Sequence, residues 1–267
     1  MSEPGATNAN VRNVRPAAVA GLFYPGVASE LSGEVASMLR VAHDASVPAA
    51  VPKAIIAPHA GYIYSGPIAA SVYVLLSPAA HSIHRVILLG PTHRVGVNGL
   101  ALPGASHFST PLGAIEIDRE AAAALADLPQ VVIANPPHAQ EHSLEVQLPF
   151  LQSVLPHFRL LPLAVGHASA EAVAEVLDRL WGGPETLIVI SSDLSHYLPY
   201  AAAQKIDSDT AARIVACDPS INHDEACGAT PVNGLLLAAR RHGLKASLID
   251  LRNSGDTAGD RSRVVGY

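Results

Sequence analysis

Lys53-Ala-Ile-Ile-Ala-Pro58, Arg85-Val-Ile-Leu-Leu-Gly90 and Thr186-Leu-Ile-Val-Ile-Ser191 are three short apolar runs, each cut off by Pro, Gly or Ser. None alternates apolar with polar residues, so each predicts a strand covered on both faces, as in a largely parallel sheet. Phe158 to Val165 reads as a fourth such strand, leading through Gly166-His167 into a helix from about Ser169 to Trp181.

Helical spacing fills the intervals. Ser29 is placed to cap a helix carrying Leu31, Val35, Met38, Leu39 and Ala42. Ser65 is placed to cap a second helix reaching about Leu76, with Pro67 in its first turn. Leu144, Leu148, Leu151 and Leu155 form a helical stripe with a kink expected at Pro149. Thr230-Pro231 starts a helix that Gly243 ends. Residues 98–103 and 108–118 read as a hairpin or edge strands, and 246–251 and 263–267 as closing strands. Strands alternating with helices give an α/β fold: one domain, a largely parallel or mixed central sheet, helices on both faces. Residues 1–14 read as a disordered lead-in, too polar for a signal peptide, and residues 15–267 as the domain.

Composition narrows the partners. The chain has 267 residues, 49% hydrophobic, which is enough for a sizeable core without disulfides. Its net charge of −6 is dispersed, and no Lys/Arg run marks a nucleic-acid or anionic-membrane surface. No apolar run is long enough to span a bilayer. Small molecules or proteins are the expected partners, and two cysteines, Cys217 and Cys227, make no disulfide framework, so a cytoplasmic location is expected.

In parallel sheets ligands bind beyond the carboxyl ends of the strands. Three strands here deliver a suitable side chain just past that end: His59, His93, and Asp193 with His196. Cys227 precedes the helix expected near Pro231, where unpaired amides and the helix dipole favour a thiolate, and Gly228 beside it permits close approach. Imidazole and thiolate suit zinc, copper or iron rather than magnesium or calcium, and three protein ligands leave positions open for chemistry. Taken singly, His59 and His93 also read as hydrogen-bonded loop residues and Cys227 as a small buried hydrophobe.

His196 reads as a general acid/base and Asp193 as a carboxylate that orients a histidine; the alternative is an Asx-type turn with a surface histidine. Glu141 and Glu145 read as solvated helix caps, or Glu141 and His142 as pocket residues able to ligate or carry a proton. Tyr62, Tyr64, Phe23 and Tyr24 read as an aromatic wall or as core. Cys217, His43 and His242 read as structural.

Ala57-Pro-His-Ala-Gly-Tyr-Ile-Tyr64, Gly90-Pro-Thr-His93, Glu141-His-Ser-Leu-Glu145, Ser191-Ser-Asp-Leu-Ser-His196 and Cys227-Gly-Ala-Thr-Pro231 occur in this order, and together they resemble the Memo family from about Arg15 onward. The resemblance implies a fold similar to class III extradiol ring-cleaving dioxygenases, whose non-haem iron is held by two histidines and a carboxylate. On it, His59 and His93 match the two histidine ligands, Cys227 the third ligand, and His196 the acid/base histidine. Fe(II) is then the first expected cofactor, with copper or zinc as alternatives, because a thiolate in place of the carboxylate shifts preference toward softer ions. The implied function is a dioxygenase-like oxidoreductase acting on an unknown small molecule; the alternative is a non-catalytic binding or scaffold protein. A metallohydrolase and a metal-free Cys227 nucleophile are further readings. The name of the prokaryotic members, AmmeMemoRadiSam system protein B, implies a functional link to a radical-SAM enzyme and an AMMECR1-like protein.

Overall fold

The structure, a computed structural model, describes residues 13–45 and 50–267. Of the lead-in expected at 1–14, residues 1–12 lie outside the described residues, while Val14 already belongs to a strand. In chain order the first half comprises β1 (Val14–Arg15), α1 (Ala28–Ala45), β2 (Ala54–Ala57), α2 (Tyr62–Tyr73), β3 (Arg85–Pro91), β4 (Leu100–Leu102), β5 (His107–Thr110), β6 (Gly113–Glu116), α3 (Arg119–Ala123) and β7 (Val131–Ile133). The second half comprises α4 (Pro136–Ala139), α5 (Leu148–Val154), β8 (Arg159–Val165), α6 (Ala170–Arg179), β9 (Thr186–Ser191), β10 (His196–Leu198), α7 (Tyr200–Val215), α8 (Ala229–Arg241) and β11 (Val264–Val265).

The central sheet is mixed, with six strands in the order β2-β9-β3-β8-β4-β7. β2, β9, β3 and β8 run parallel, and β4 meets β8 antiparallel. Alternation along β3 and β9 divides the core. Val86, Leu88, Leu187 and Val189 pack with α1, α2 and α5 on one face. Ile87, Leu89, Ile188 and Ile190 pack with α6 and α8 on the other. Both faces are covered, which is why these strands read as unbroken apolar runs. Both sets of side chains are essentially inaccessible to water. β2 lies at the sheet's edge and alternates between half-buried and buried residues.

Several local expectations are corrected. α1 starts at Ala28, so Ser29 lies inside it, and α2 starts at Tyr62 behind Gly61. Ser65 is therefore inside α2, its hydroxyl donating to Ala60 O at 2.9 Å, and Pro67 lies deeper in the helix than its first turn. Pro149 opens α5 after a 3-10 turn instead of kinking a longer helix, because proline's missing N–H costs nothing at a helix start. Gly228, not Thr230, caps α8, whose end is marked by Gly243 at φ +68°. Residues 246–251 form no strand, and of the last expected strand Val264–Val265 pair with β10 while Gly266 makes an isolated bridge to Asn253. Residues 107–116 form the expected hairpin, joined by β1. No described helix is long and apolar enough to cross a membrane.

Glu141 and Glu145, for which solvated caps were one reading and a pocket place for Glu141 the other, are 1% and 0% exposed. Buried charge demands partners. Arg15 supplies one, ion-pairing with Glu145 while its other nitrogens donate to His138 O at 2.9 Å and Glu141 O at 2.7 Å. Glu145 also accepts from Ala18 N, Val19 N and the Tyr24 hydroxyl. The start of the domain is thereby tied to the loop that carries Glu141 and His142. Removing one member of a buried pair leaves the other charge stranded, so Glu145→Ala is expected to destabilise the protein by about 3–5 kcal/mol in urea unfolding. Glu120→Ala, breaking the exposed pair with Arg85, is expected to cost less than about 1 kcal/mol. Equal small losses in both variants would contradict this account.

Candidate metal centre

Neighbouring strands β2, β9 and β3 end side by side, and the residues just beyond them converge. His59 follows β2, its backbone N–H donating to Asp193 Oδ1 at 2.7 Å, and Asp193 follows β9. His93 follows β3. The His59 ring lies 5.2 Å from His93 and 5.4 Å from His142, and the His93 and His142 rings stack at 4.5 Å, all centroid to centroid. His59, His93 and His142 each offer one ligand atom, and these atoms lie within 4.8 Å of one another, so the three can hold a metal ion.

Hydrogen-bond accounting fixes which nitrogens face the common point. Ser191 Oγ donates its only proton to Ser143 O at 2.6 Å. Toward His59 Nδ1, 2.8 Å away, it must then act as acceptor, so Nδ1 carries the proton and Nε2 keeps a lone pair. The carboxylate of Glu141 likewise accepts from His93 Nδ1 at 2.8 Å, which leaves the other ring nitrogen of His93 bare. Gln147 completes the support: Nε2 donates to Ser191 Oγ and Pro58 O, while Oε1 accepts from the Tyr73 hydroxyl. His142 Nδ1 is buried without a hydrogen-bond partner among the described residues, 3.4 Å from Glu141 Oε1. Two bare imidazole nitrogens with a third imidazole beside them fit a cation.

Electrostatics agree. Burial, then the neighbouring histidines His93 and His142, push His59 well below the usual histidine range. Burial and His93 push His142 down as well. Both therefore favour the neutral, ligating form at neutral pH. Burial alone would raise the Glu141 carboxyl, but hydrogen bonds from the His93 ring, the His93 N–H and the Ser143 N–H override it and hold it down at about 2.

Cys227 adjoins this group, with Sγ 3.3 Å from His59 Nε2 and 3.3 Å from Asp193 N. It lies outside the three-residue set defined by the 4.8 Å limit. Gly228 N donates to Ser192 Oγ at 2.9 Å, and a Cβ on Gly228 would meet Ser191 O at 2.8 Å, so only glycine allows this approach. The expected thiolate is not favoured without a cation: burial, then the Asp193 carboxyl, push the thiol up to about 12. α8 begins two residues later, and the Thr230 hydroxyl pairs with His223 Nε2 at 3.2 Å. Asp193 is itself raised by burial, against the His59 N–H and His196.

His196 opens β10, half-buried, with its backbone paired to Val265. Tyr197 beside it adopts φ 59°, a conformation non-glycine residues seldom take, and its ring meets the His196 ring edge-on at 5.8 Å. Tyr62 belongs to the core and not to the site wall: it is 2% exposed, packs on Phe150, and donates to Val146 O at 2.8 Å. Tyr64 is 39% exposed, and Phe23 faces His142 at 4.8 Å. Glu141 braces His93 from behind. Sequence reasoning missed Ser191, Ser143, Gln147 and Arg15. Their one sequence signal was polar residues at the ends of, or between, apolar runs.

A family model described as "Memo-like protein" matches residues 15–267. A MEMO1 family protein of Aquifex aeolicus is 37% identical over 274 residues, covering 95% of this chain and 97% of that one. One of Ignicoccus hospitalis is 36% identical over 284 residues, covering 95% and 96%. Among solved structures, an uncharacterized protein of Escherichia coli K12 aligns with a TM-score of 0.40 at 12% identity, covering 73% of this chain and 90% of that chain.

Ser191→Ala removes the acceptor that sets the His59 tautomer. Metal affinity is expected to fall about 10–100-fold with the circular-dichroism spectrum unchanged; wild-type affinity would show that the hydroxyl does not orient the ring. In metal-free protein, Cys227 is expected to be alkylated by iodoacetamide at pH 8.5 at least about tenfold more slowly than in the denatured chain. Equal rates would mean the thiol is not held protonated.

Proposed function

The chain belongs to the Memo-like protein family, and from that premise we propose that it is a metal-dependent oxidoreductase with a dioxygenase-like site acting on a small molecule. The observation that carries this reading is the pair of bare imidazole nitrogens, on His59 and His93, that Ser191 and Glu141 hold in place from behind. His59, His93 and Cys227 are the proposed ligands, with His142 flanking them. Nitrogen and sulfur donors suit Fe(II) first, copper or zinc second. A bound redox metal supplies one-electron chemistry with O2 and polarises a coordinated substrate.

The chain's own residues do the rest. Ser191 and Glu141 fix the rings, and the buried Arg15–Glu145 pair holds the loop from which Glu141 reaches His93. His196 takes or gives the substrate's proton at its ring, and Asp193 anchors the His59 backbone. Phe23 and Tyr64 present an apolar approach. The likeness to class III extradiol dioxygenases, a cytoplasmic location, and the link to a radical-SAM enzyme and an AMMECR1-like protein belong to the same reading.

One observation favours a second reading. Three grouped imidazoles would suit zinc, which could supply hydrolytic chemistry when bound there. A metal-free Cys227 nucleophile is disfavoured by its high thiol pKa.

Elemental analysis of anaerobically purified protein tests the proposal. Wild type is expected to carry iron or copper, His59→Ala to lose it, and Cys227→Ser to bind soft metals more weakly while staying folded. Metal content unchanged in His59→Ala sinks the centre. Iron-loaded protein that consumes no O2 with a panel of catecholic and other small substrates points to a binding role. Tight zinc with hydrolysis abolished by chelation points to the second reading.

A further inference from the structure

His196 is the proton carrier of the proposed reaction, yet its ring makes no hydrogen bond among the described residues. The backbone on either side must therefore place it. His196 lies within electrostatic reach of His59, Asp193 and Asp207. The first two belong to the metal centre, whereas Asp207 comes from the buried face of α7, which packs on β10 and β11.

β10 is not a regular strand. His196 pairs with Val265 and Leu198 with Val264, so Tyr197 is an extra residue on the β10 side, a bulge. Bulges beside active sites re-aim the side chains next to them. The φ of 59° at Tyr197 is left-handed, and a residue with a Cβ keeps such a conformation only where its surroundings impose it. Tyr197 is 62% exposed, so burial of its own ring does not impose it. Arg263 lies over that ring, 5.2 Å from its centroid, a contact to the side chain and not to the backbone.

The backbone is held close by. Asp207, 2% exposed, accepts from Ser195 N at 3.0 Å. Ser195 O accepts from Gly266 N at 2.9 Å, and Gly266 O accepts from Leu194 N at 2.8 Å. A Cβ on Gly266 would meet Asp207 Oδ2 at 2.1 Å, so the chain after β11 comes this close to α7 only because residue 266 is glycine. Asp207 makes no ion pair among the described residues, and burial raises its carboxyl against the Ser195 N–H.

We propose that Asp207 is a positioning residue: as acceptor for the Ser195 N–H it anchors the bulge and so aims the His196 ring at the metal centre. The proposal rests on the acid/base reading of His196 for its consequence. The anchor requires an acceptor and not a charge, so the amide oxygen of asparagine serves in its place.

Nuclear magnetic resonance of histidine-labelled full-length protein tests this, in the metal-free form and loaded with Co(II), with zinc as the diamagnetic reference. In wild type the His196 ring protons are expected to contact those of Tyr197 and to broaden when cobalt binds. Asp207→Ala is expected to lose the ring contact and shift the broadening, and Asp207→Asn to keep both. Gly266→Ala, which pushes on Oδ2 without altering the carboxyl, is expected to act as Asp207→Ala does, and it decides the matter if that variant does not fold. A role confined to packing would lower the melting temperature of Asp207→Ala but leave the His196 signals of the folded protein as in wild type; that result overturns the proposal. So does an Asp207→Asn spectrum that matches Asp207→Ala, or bound cobalt that leaves wild-type His196 unbroadened. Wild-type protein that binds no cobalt removes the metal-centre reading, while the ring contact in the metal-free form still decides the role of Asp207.

Discussion

The Ser191 hydroxyl has one proton, and three neighbours compete for its oxygen. It gives that proton to Ser143 O and accepts from Gln147 and His59. That division of roles sets the tautomer of the deepest histidine and ties β9, the end of β2 and the 141–147 segment into one unit. Glu141 repeats the arrangement one strand over, with a carboxylate in place of the hydroxyl. The centre is thus shaped from behind, by residues that never face the ligand.

Desolvation gives the site a second character. Burial lowers His59 and His142 and raises Cys227 and Asp193, so four of its groups lean toward their uncharged forms. Glu141 alone is held firmly ionised. A cation arriving here meets little positive charge to repel it, and its own field favours release of the thiol proton. The same surroundings make Cys227 a poor free nucleophile.

Much of this was legible in the sequence. The three apolar runs marked β2, β3 and β9, and the residues just beyond them, His59, His93 and Asp193, proved to be spatial neighbours, because parallel strands bring their carboxyl ends together. Cys227 was found by its place before a helix, although without a cation the inferred thiolate is not favoured, because burial outweighs a helix start two residues away. Glu145 looked like a solvated cap, since nothing local reveals that Arg15, some 130 residues earlier, buries with it, whereas the pocket reading of Glu141 matches its place behind His93. Helix starts at Ser29, Ser65 and Thr230 were misplaced by a few residues, because tertiary packing and glycine caps overrode side-chain capping. Ser191 and Gln147 carry no motif of their own, and their roles exist only once three segments have met.

His59 meets Asp193 across 134 residues of chain and Cys227 across 168. Contacts so remote in sequence exist only where the sheet between them has been assembled. A half-folded chain therefore offers no cradle for an ion, in contrast to small zinc modules whose ligands lie a few residues apart and whose metal drives their folding. Metal capture by this protein reports on a finished architecture, and a chain that misfolds anywhere between β2 and α8 forfeits it.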